Sequence, residues 1–247
     1  MEFGQTASLG ADAAVLGRSP KPAPAELVHA AFDPPPIAKL HRACQPSRND
    51  HVVGGVSKRA FDILAAGGAL VLLSPALLAV WAAVRLESRG PGLFHQRRGG
   101  YQGRPFYILK FRTMRSCESR SIAQAKKGDD RTTPLGKILR KYSIDELPQL
   151  INVLMGDMSI VGPRPHALAH DRHFSTLDRR YAGRHRARPG ITGLAQVSGA
   201  RGPTDTEDKI FQRTTFDLGY VSGWSWKMDI GIILRTARVL AKDANAF

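Results

Sequence analysis

Ile63-Leu64-Ala65-Ala66-Gly67-Gly68-Ala69-Leu70-Val71-Leu72-Leu73-Ser74-Pro75-Ala76-Leu77-Leu78-Ala79-Val80-Trp81-Ala82-Ala83-Val84 contains no charged residue. A run of this length crosses a bilayer as one helix, and uncharged runs beyond about 18 residues are uncommon in soluble domains. Ser74-Pro75 sits at its midpoint, where proline deletes a backbone hydrogen bond and bends a helix. Cations flank both ends, Lys58 and Arg59 before it and Arg85 and Arg89 after it. A spanning helix ordinarily shows cation asymmetry between its ends. Symmetric cations with a kink at Ser74 and Pro75 predict a re-entrant helix-hairpin that dips into one leaflet and returns, so that both flanks meet headgroups on one face. A full crossing and a buried core helix are the alternatives.

Outward from this run the chain divides in three. Residues 1–50 balance five Lys/Arg against five Asp/Glu and hold seven of the sixteen prolines. They read as a disordered Pro/Ala-rich tail with at most a short helix near 25–31. Residues 51–89 form the membrane hairpin and its flanks, and 90–247 a cytosolic domain. The whole formal charge of +15 therefore lies in 51–247. A domain this basic has anionic partners: nucleic acid, anionic lipid or phosphorylated substrates. The chain shows no helix-turn-helix or zinc-finger pattern, and aromatics are only 7%, which argues against nucleic acid. Cys44 and Cys117 have no metal-ligand spacing and suit a reduced compartment, and no signal peptide is visible.

The domain reads as α+β and mainly helical. Residues 90–114 predict a small β-hairpin, with Gly92–Gln96 and Pro105–Leu109 as strands and Gly99, Gly100 and Gly103 in the turn. Alternation puts Lys110 and Arg112 on one face, opposite Phe111. Residues 116–130 are polar, a loop or loose helix. A helix starts at Pro134 with Leu135, Ile138, Leu139 and Tyr142 at helical spacing, and a short apolar helix over 150–155 ends at Gly156. In Val161-Gly162-Pro163-Arg164-Pro165 two prolines fix the backbone around one arginine, whose fork suits a phosphate. His166, His170 and His173 have helical spacing, but no carboxylate or cysteine completes a zinc set. Residues 188–199 form a glycine-punctuated loop and strand. Residues 224–247 predict an amphipathic helix, with Ile230, Ile233, Leu234, Ala237 and Leu240 on one face.

Between the two predicted helices lies Ser143-Ile144-Asp145-Glu146-Leu147-Pro148-Gln149. Two adjacent carboxylates in so basic a protein read first, on their own, as a surface salt bridge, with a metal ion or a reacting electrophile as the alternatives.

Taken in order, Lys58-Arg59-Ala60-Phe61-Asp62, the Ser-Pro apolar run, Lys110-Phe111-Arg112-Thr113-Met114, Asp145-Glu146-Leu147-Pro148-Gln149, Val161-Gly162-Pro163-Arg164-Pro165 and Arg188-Pro189-Gly190-Ile191-Thr192-Gly193-Leu194 resemble the bacterial sugar transferases that act on polyprenyl phosphate, the monotopic phosphoglycosyl transferases. The likeness runs from about Ser57 to the end and is closest to the short exopolysaccharide branch, which lacks the extra N-terminal membrane helices of longer members. The chain departs from the pattern at Ala195, where many members have tryptophan, in Ser198-Gly199-Ala200-Arg201, a stretched Ser-Gly-Arg, and in Tyr142-Ser143-Ile144. The first two departures bear on nucleotide or sugar specificity.

The resemblance implies transfer of a hexose-1-phosphate from a nucleotide sugar, expected to be a UDP-sugar, to membrane undecaprenyl phosphate at the cytoplasmic face of the bacterial inner membrane. It makes Asp145 the nucleophile that forms an aspartyl-phosphosugar and Glu146 its partner. Both are the expected ligands of Mg2+. Lys58, Arg59, Arg98, Lys110, Arg112, Arg131, Arg140, Gln149, Arg164 and Arg188 are the expected substrate- and phosphate-binding residues. Expected partners are the nucleotide sugar, polyprenyl phosphate and anionic lipid, with a homodimer left open and nucleic acid excluded. A non-enzymatic, basic membrane scaffold is the alternative.

Overall fold

The computed structural model describes residues 53–115 and 129–242. The expected tail, its short helix, Cys44 and Cys117 lie outside the described residues, as does nearly all of 116–130.

The apolar run belongs to one uninterrupted helix, α1 (Gly55–Glu87), with Pro75 inside it. The expected division at Ser74-Pro75 into two helical arms is not seen as a break in the helix. Proline leaves the carbonyl of Val71 without its backbone donor, and Ser74 Oγ donates to that carbonyl at 2.9 Å. The bond lost to proline is thus replaced locally, which lets the helix continue through Pro75. Lys58, Asp62, Ala66 and Val84 are buried along one face, with Ala69, Leu70, Leu77 and Val80 packed inward between them. The opposite face is apolar and bare: Leu64, Val71, Leu72 and Leu78 are 76, 78, 79 and 67% exposed. This one helix is long and apolar enough to cross a membrane.

Both ends of α1 are fastened to the same body. At the start, Lys58 Nζ meets Asp229 Oδ2 at 2.6 Å. Asp62 Oδ1 accepts from Ser159 Oγ and the Ile160 amide, each at 3.0 Å. At the far end, the Arg112 guanidinium donates to the carbonyls of Val84, Ser88 and Arg89, closing a helix terminus whose carbonyls lack partners.

The hairpin forms as expected, with longer strands. β1 (Leu93–Gly99) pairs antiparallel with β2 (Pro105–Phe111), from Leu93 opposite Phe111 to Gly99 opposite Pro105. Gln102 and Gly103 take φ of 54° and 71° in the turn. Phe106 and Ile108 pack with Ala66, Leu150, Val153 and Met158 in the core. Helix α2 (Pro134–Lys141) starts on Thr133, whose Oγ1 accepts from the Gly136 amide. Of its expected apolar stripe, Leu139 is buried and Leu135 packs beside it, but Ile138 and Tyr142 face outward.

After α2, a 3₁₀ turn over Ile144–Glu146 leads into α3 (Gln149–Met155), which ends at Gly156 with φ 92°. Asn152 joins α3 to the free edge of β2, its Oδ1 accepting from the Leu109 amide and its Nδ2 donating to the Tyr107 carbonyl. β3 (Ser159–Val161) then pairs in parallel with β4 (Gly190–Thr192), a pairing that sequence patterns did not suggest. A Cβ on Gly190 would lie 2.1 Å from the Gly162 amide, so only glycine admits the crossing. Helices α4 (Leu168–Leu177), α5 (Leu194–Val197), α6 (Glu207–Gly223) and α7 (Trp226–Lys242) complete the described fold.

The apolar face expected of the last helix is divided between core and surface, with Ile233 packed inward. Ile230 and Leu234 are exposed, while Asp229 and Ile232 are buried. The cause is the Lys58–Asp229 pair. Asp229 also accepts from Tyr220 Oη at 2.9 Å and Trp224 Nε1 at 3.1 Å, which turns α7 so that this carboxylate faces inward.

Breaking a buried pair from one side strands a charge and costs about 3–5 kcal/mol. Lys58→Met or Asp229→Ala is expected to lower unfolding stability by that amount in detergent denaturation, and the double variant Lys58→Met/Asp229→Leu by less than the sum.

Candidate active site

The acidic pair is presented by a strained turn. Ser143 takes a left-handed φ of 56°, uncommon for a residue with a Cβ, and its Oγ accepts from Arg201 Nη2 at 2.7 Å. Ile144 then packs against the core formed by Val84, Phe111 and Leu139. With the backbone held on both sides, Asp145 and Glu146 project into different surroundings.

Glu146 is fully engaged. Its Oε1 receives Lys110 Nζ at 2.6 Å and Arg164 Nη2 at 2.5 Å, and its Oε2 receives Arg164 Nη1 at 3.0 Å. Burial pushes this carboxyl up, but Arg164 and Lys110 override it and hold it well below the usual carboxylate range. Asp145 is 8% exposed and accepts no hydrogen bond among the described residues. Burial first, and then the charge of Glu146, raise it to about 6, against the pull of Lys110, Arg140 and Arg164. One carboxylate is a fixed counter-ion; its neighbour is uncommitted and still ionised at neutral pH.

The cations around the pair are oriented separately. Lys110 stands on β2, and burial lowers it against the opposing effect of Glu146. Arg140 Nε donates to Thr113 Oγ1 at 2.8 Å, which leaves its terminal nitrogens without partners among the described residues. Arg164 is raised chiefly by Glu146. Arg98 donates to Gln96 Oε1 at 2.5 Å and to the Pro165 carbonyl at 3.4 Å. Burial and then Arg164 lower it to about 10. Gln149, one turn beyond Asp145, is buried with neither amide atom partnered.

The structure therefore gathers Asp145, Glu146, Lys110, Arg140 and Arg164, with Arg98 and Gln149 beside them. It does not bring the other expected binding residues here. Lys58 is consumed by Asp229, and Arg112 caps α1. Arg59 donates to the carbonyls of Val153 and Leu154 at the end of α3. Arg188 donates to the Gly156 carbonyl and lies over the Tyr101 ring. Arg131 is held by Asp129 at 2.6 Å.

Sequence reasoning also missed a buried polar network behind Arg164. Arg213 Nη1 faces His166 Nε2 at 3.3 Å, and His166 Nδ1 faces Tyr181 Oη at 2.6 Å. Tyr181 donates to Asp171 Oδ1 at 2.5 Å. Burial, with Arg184 and Arg213, keeps His166 neutral, so its Nδ1 carries the proton. The one available signal was the helical spacing of Arg213, Asp217 and Tyr220, which puts polar groups on the buried side of α6. His170 and His173 pack on Phe174. Among the described residues no group of three or more His, Cys, Asp or Glu gathers to hold a metal. Asp145 is the carboxylate without hydrogen-bonded partners among the described residues, whereas both oxygens of Glu146 are engaged by cations.

Residues 53–243 match the sequence model of a family described as bacterial sugar transferase. A UDP-glucose:undecaprenyl-phosphate glucose-1-phosphate transferase of Caulobacter vibrioides is 53% identical over 191 residues, covering 77% of this chain and 72% of that protein. A protein of the same name from Escherichia coli is 48% identical over 74% of this chain, but only 40% of its own length is matched. An exopolysaccharide production protein of Rhizobium leguminosarum is 47% identical over 73% of this chain and 93% of its own length. The chain thus spans most of some relatives and about two fifths of others.

A buried carboxyl raised from 3.8 to about 6 affects stability with a definite sign. Below pH 4 it is protonated folded and unfolded alike and contributes nothing. Between about pH 4 and 6 the unfolded chain releases the proton first, so stability falls as pH rises, and above 6 the full penalty stands. Asp145→Asn is expected to stabilise the protein by about 1–3 kcal/mol at pH 7.5 and to be neutral below pH 4, read from denaturation midpoints at the two pH values.

Proposed function

The chain belongs to the bacterial sugar transferase family, and from that premise we propose that it moves a hexose-1-phosphate from a UDP-sugar to membrane undecaprenyl phosphate, the first step of exopolysaccharide assembly. The observation that carries this reading is the uncommitted, buried carboxylate of Asp145 beside Lys110, Arg140 and Arg164.

The chemistry follows from that arrangement. An Asp145 oxygen attacks the phosphorus bonded to the sugar. The bond from that phosphorus to the bridging diphosphate oxygen breaks, and nucleoside monophosphate leaves with the electron pair. An acyl phosphosugar remains on Asp145. A polyprenyl phosphate oxygen then attacks the same phosphorus and the Asp145 carboxylate leaves, regenerated. Two steps avoid a direct encounter of two anions, one of them fixed in a membrane. The attack of a carboxylate on a phosphate still meets like charge, and Arg140, with its terminal nitrogens free, answers it beside Asp145. Glu146 holds Lys110 and Arg164 aimed at the same place before substrate arrives. Mg2+ suits this donor set through Asp145 and diphosphate oxygens, with Glu146 available only if it releases a cation, and would supply further charge neutralisation.

The setting supports the lipid acceptor. Both ends of α1 are tied to one body, and its outer face is apolar. We read this helix, about 50 Å long, as entering one leaflet, a reading supported by the fastening of both its ends to the same body. This reading puts α1 in the cytoplasmic leaflet of the inner membrane and the domain that carries the acidic pair in the cytosol. A scaffold that only holds anionic lipid has no use for a buried carboxylate kept free of partners.

Membranes carrying the protein, given undecaprenyl phosphate and a panel of nucleotide sugars, are expected to release nucleoside monophosphate, with UDP-glucose the best donor and activity lost on chelation. Asp145→Asn is expected to reduce release by at least ~10³-fold while the protein still fractionates with membranes. Undiminished release from that variant would remove Asp145 as the nucleophile.

A further inference from the structure

Pro163-Arg164-Pro165 cannot be held like ordinary backbone, because its prolines have no N–H to donate. It is held instead by its carbonyls, each from a different element. The Gly190 amide donates to the Pro163 carbonyl at 3.0 Å. Arg184 Nη2 donates to the Arg164 carbonyl, and Arg98 Nη1 to the Pro165 carbonyl at 3.4 Å. The middle contact is the one on the arginine that grips Glu146.

Arg184 is fixed in turn. Its Nε and Nη2 each lie 2.9 Å from Asp217 Oδ2 on α6, and its Nη1 donates to Tyr181 Oη at 3.3 Å. Both side chains are 2% exposed. Only a planar guanidinium addresses three directions at once from one buried position. Neither Arg184 nor Asp217 hydrogen-bonds to Asp145 or Glu146; the shortest hydrogen-bonded route from them to the acidic pair runs through the Arg164 carbonyl.

We infer that Arg184, locked by Asp217, is the positioning residue of Arg164: it fixes the peptide from which the Arg164 guanidinium reaches the acidic pair. The inference rests on the phosphosugar-transfer reading, in which Arg164 serves the reacting phosphate. A displacement of about 1 Å in such a group costs up to ~10²-fold in rate.

The test is a double-variant cycle on the membrane-bound, full-length protein, with nucleoside monophosphate release and thermal unfolding measured on the same samples. Arg164→Lys, Asp217→Asn and Arg184→Lys are each expected to lower kcat/KM about 10- to 100-fold. In the Arg164→Lys background, Asp217→Asn and Arg184→Lys are expected to cost no further activity, while their shifts in melting temperature stay the same as in the wild-type background. Activity losses that multiply across the two backgrounds would make the pair merely structural and overturn the inference. So would wild-type turnover in both Asp217→Asn and Arg184→Lys, or failure of both to fold. Wild-type turnover in Arg164→Lys is a different result: it removes Arg164 from the transfer reaction and the inference with it.

Discussion

Glu146 bound to both Lys110 and Arg164 is the interaction on which the rest of the site depends. The cations come from distant parts of the chain, one on the second strand of the hairpin and one between two prolines. Left to themselves in a partly buried place they would repel each other. A single carboxylate between them turns that repulsion into a fixed geometry. The cost falls on Asp145, whose neighbour is permanently charged and whose own surroundings are dry. Its carboxyl is raised for both reasons, yet not so far that it is neutral at cellular pH. Two adjacent residues of like chemistry thus acquire separate roles from their contacts alone.

Much of this was legible in the sequence, and the reason is local. Asp145 and Glu146 stand in a short motif between two helices with their own start and stop signals, Pro134 and Gly156. The hairpin was written in alternation and turn glycines, and the apolar run in its composition. What residue type alone does not show is which partner each cation takes. Arg59, Arg112 and Arg188 were expected to hold phosphate, and each donates instead to carbonyls at a helix C-terminus. Such a terminus is a concentration of partial negative charge. It attracts arginine for the same reason as a phosphate oxygen does, and residue type does not distinguish the two.

The inward turn of the last helix and the buried polar network have one source, the long-range buried ion pairs. Periodicity assigned the face of the last helix from apolar residues alone, but Asp229 turns inward to meet Lys58, 171 positions away in the chain. The network of Arg184, Asp217, Tyr181, Asp171 and His166 went unseen because charged residues are ordinarily read as solvent-facing. Buried as they are, these groups must find partners, and the partners come from helices that share no pattern in sequence. At Ser74-Pro75 the helix shows no break, because Ser74 supplies a donor for the carbonyl that the proline leaves open.

Arg112 then connects the two halves of the molecule. It closes the C-terminal end of the membrane helix, and Lys110, two residues back along the same strand, holds Glu146. Two strand residues span about 7 Å, so one strand ties the acidic pair to the end of the apolar helix through two side-chain contacts. Glu87 adds a second fastening, accepting from the Leu135 amide in the first turn of α2, the helix that ends just before Ser143. A lipid-borne phosphate can present itself only near headgroup level. Under the proposed function, a site clamped by strand and helix to the end of α1 lies within reach of such an acceptor, and loss of the Arg112 fork would loosen that link.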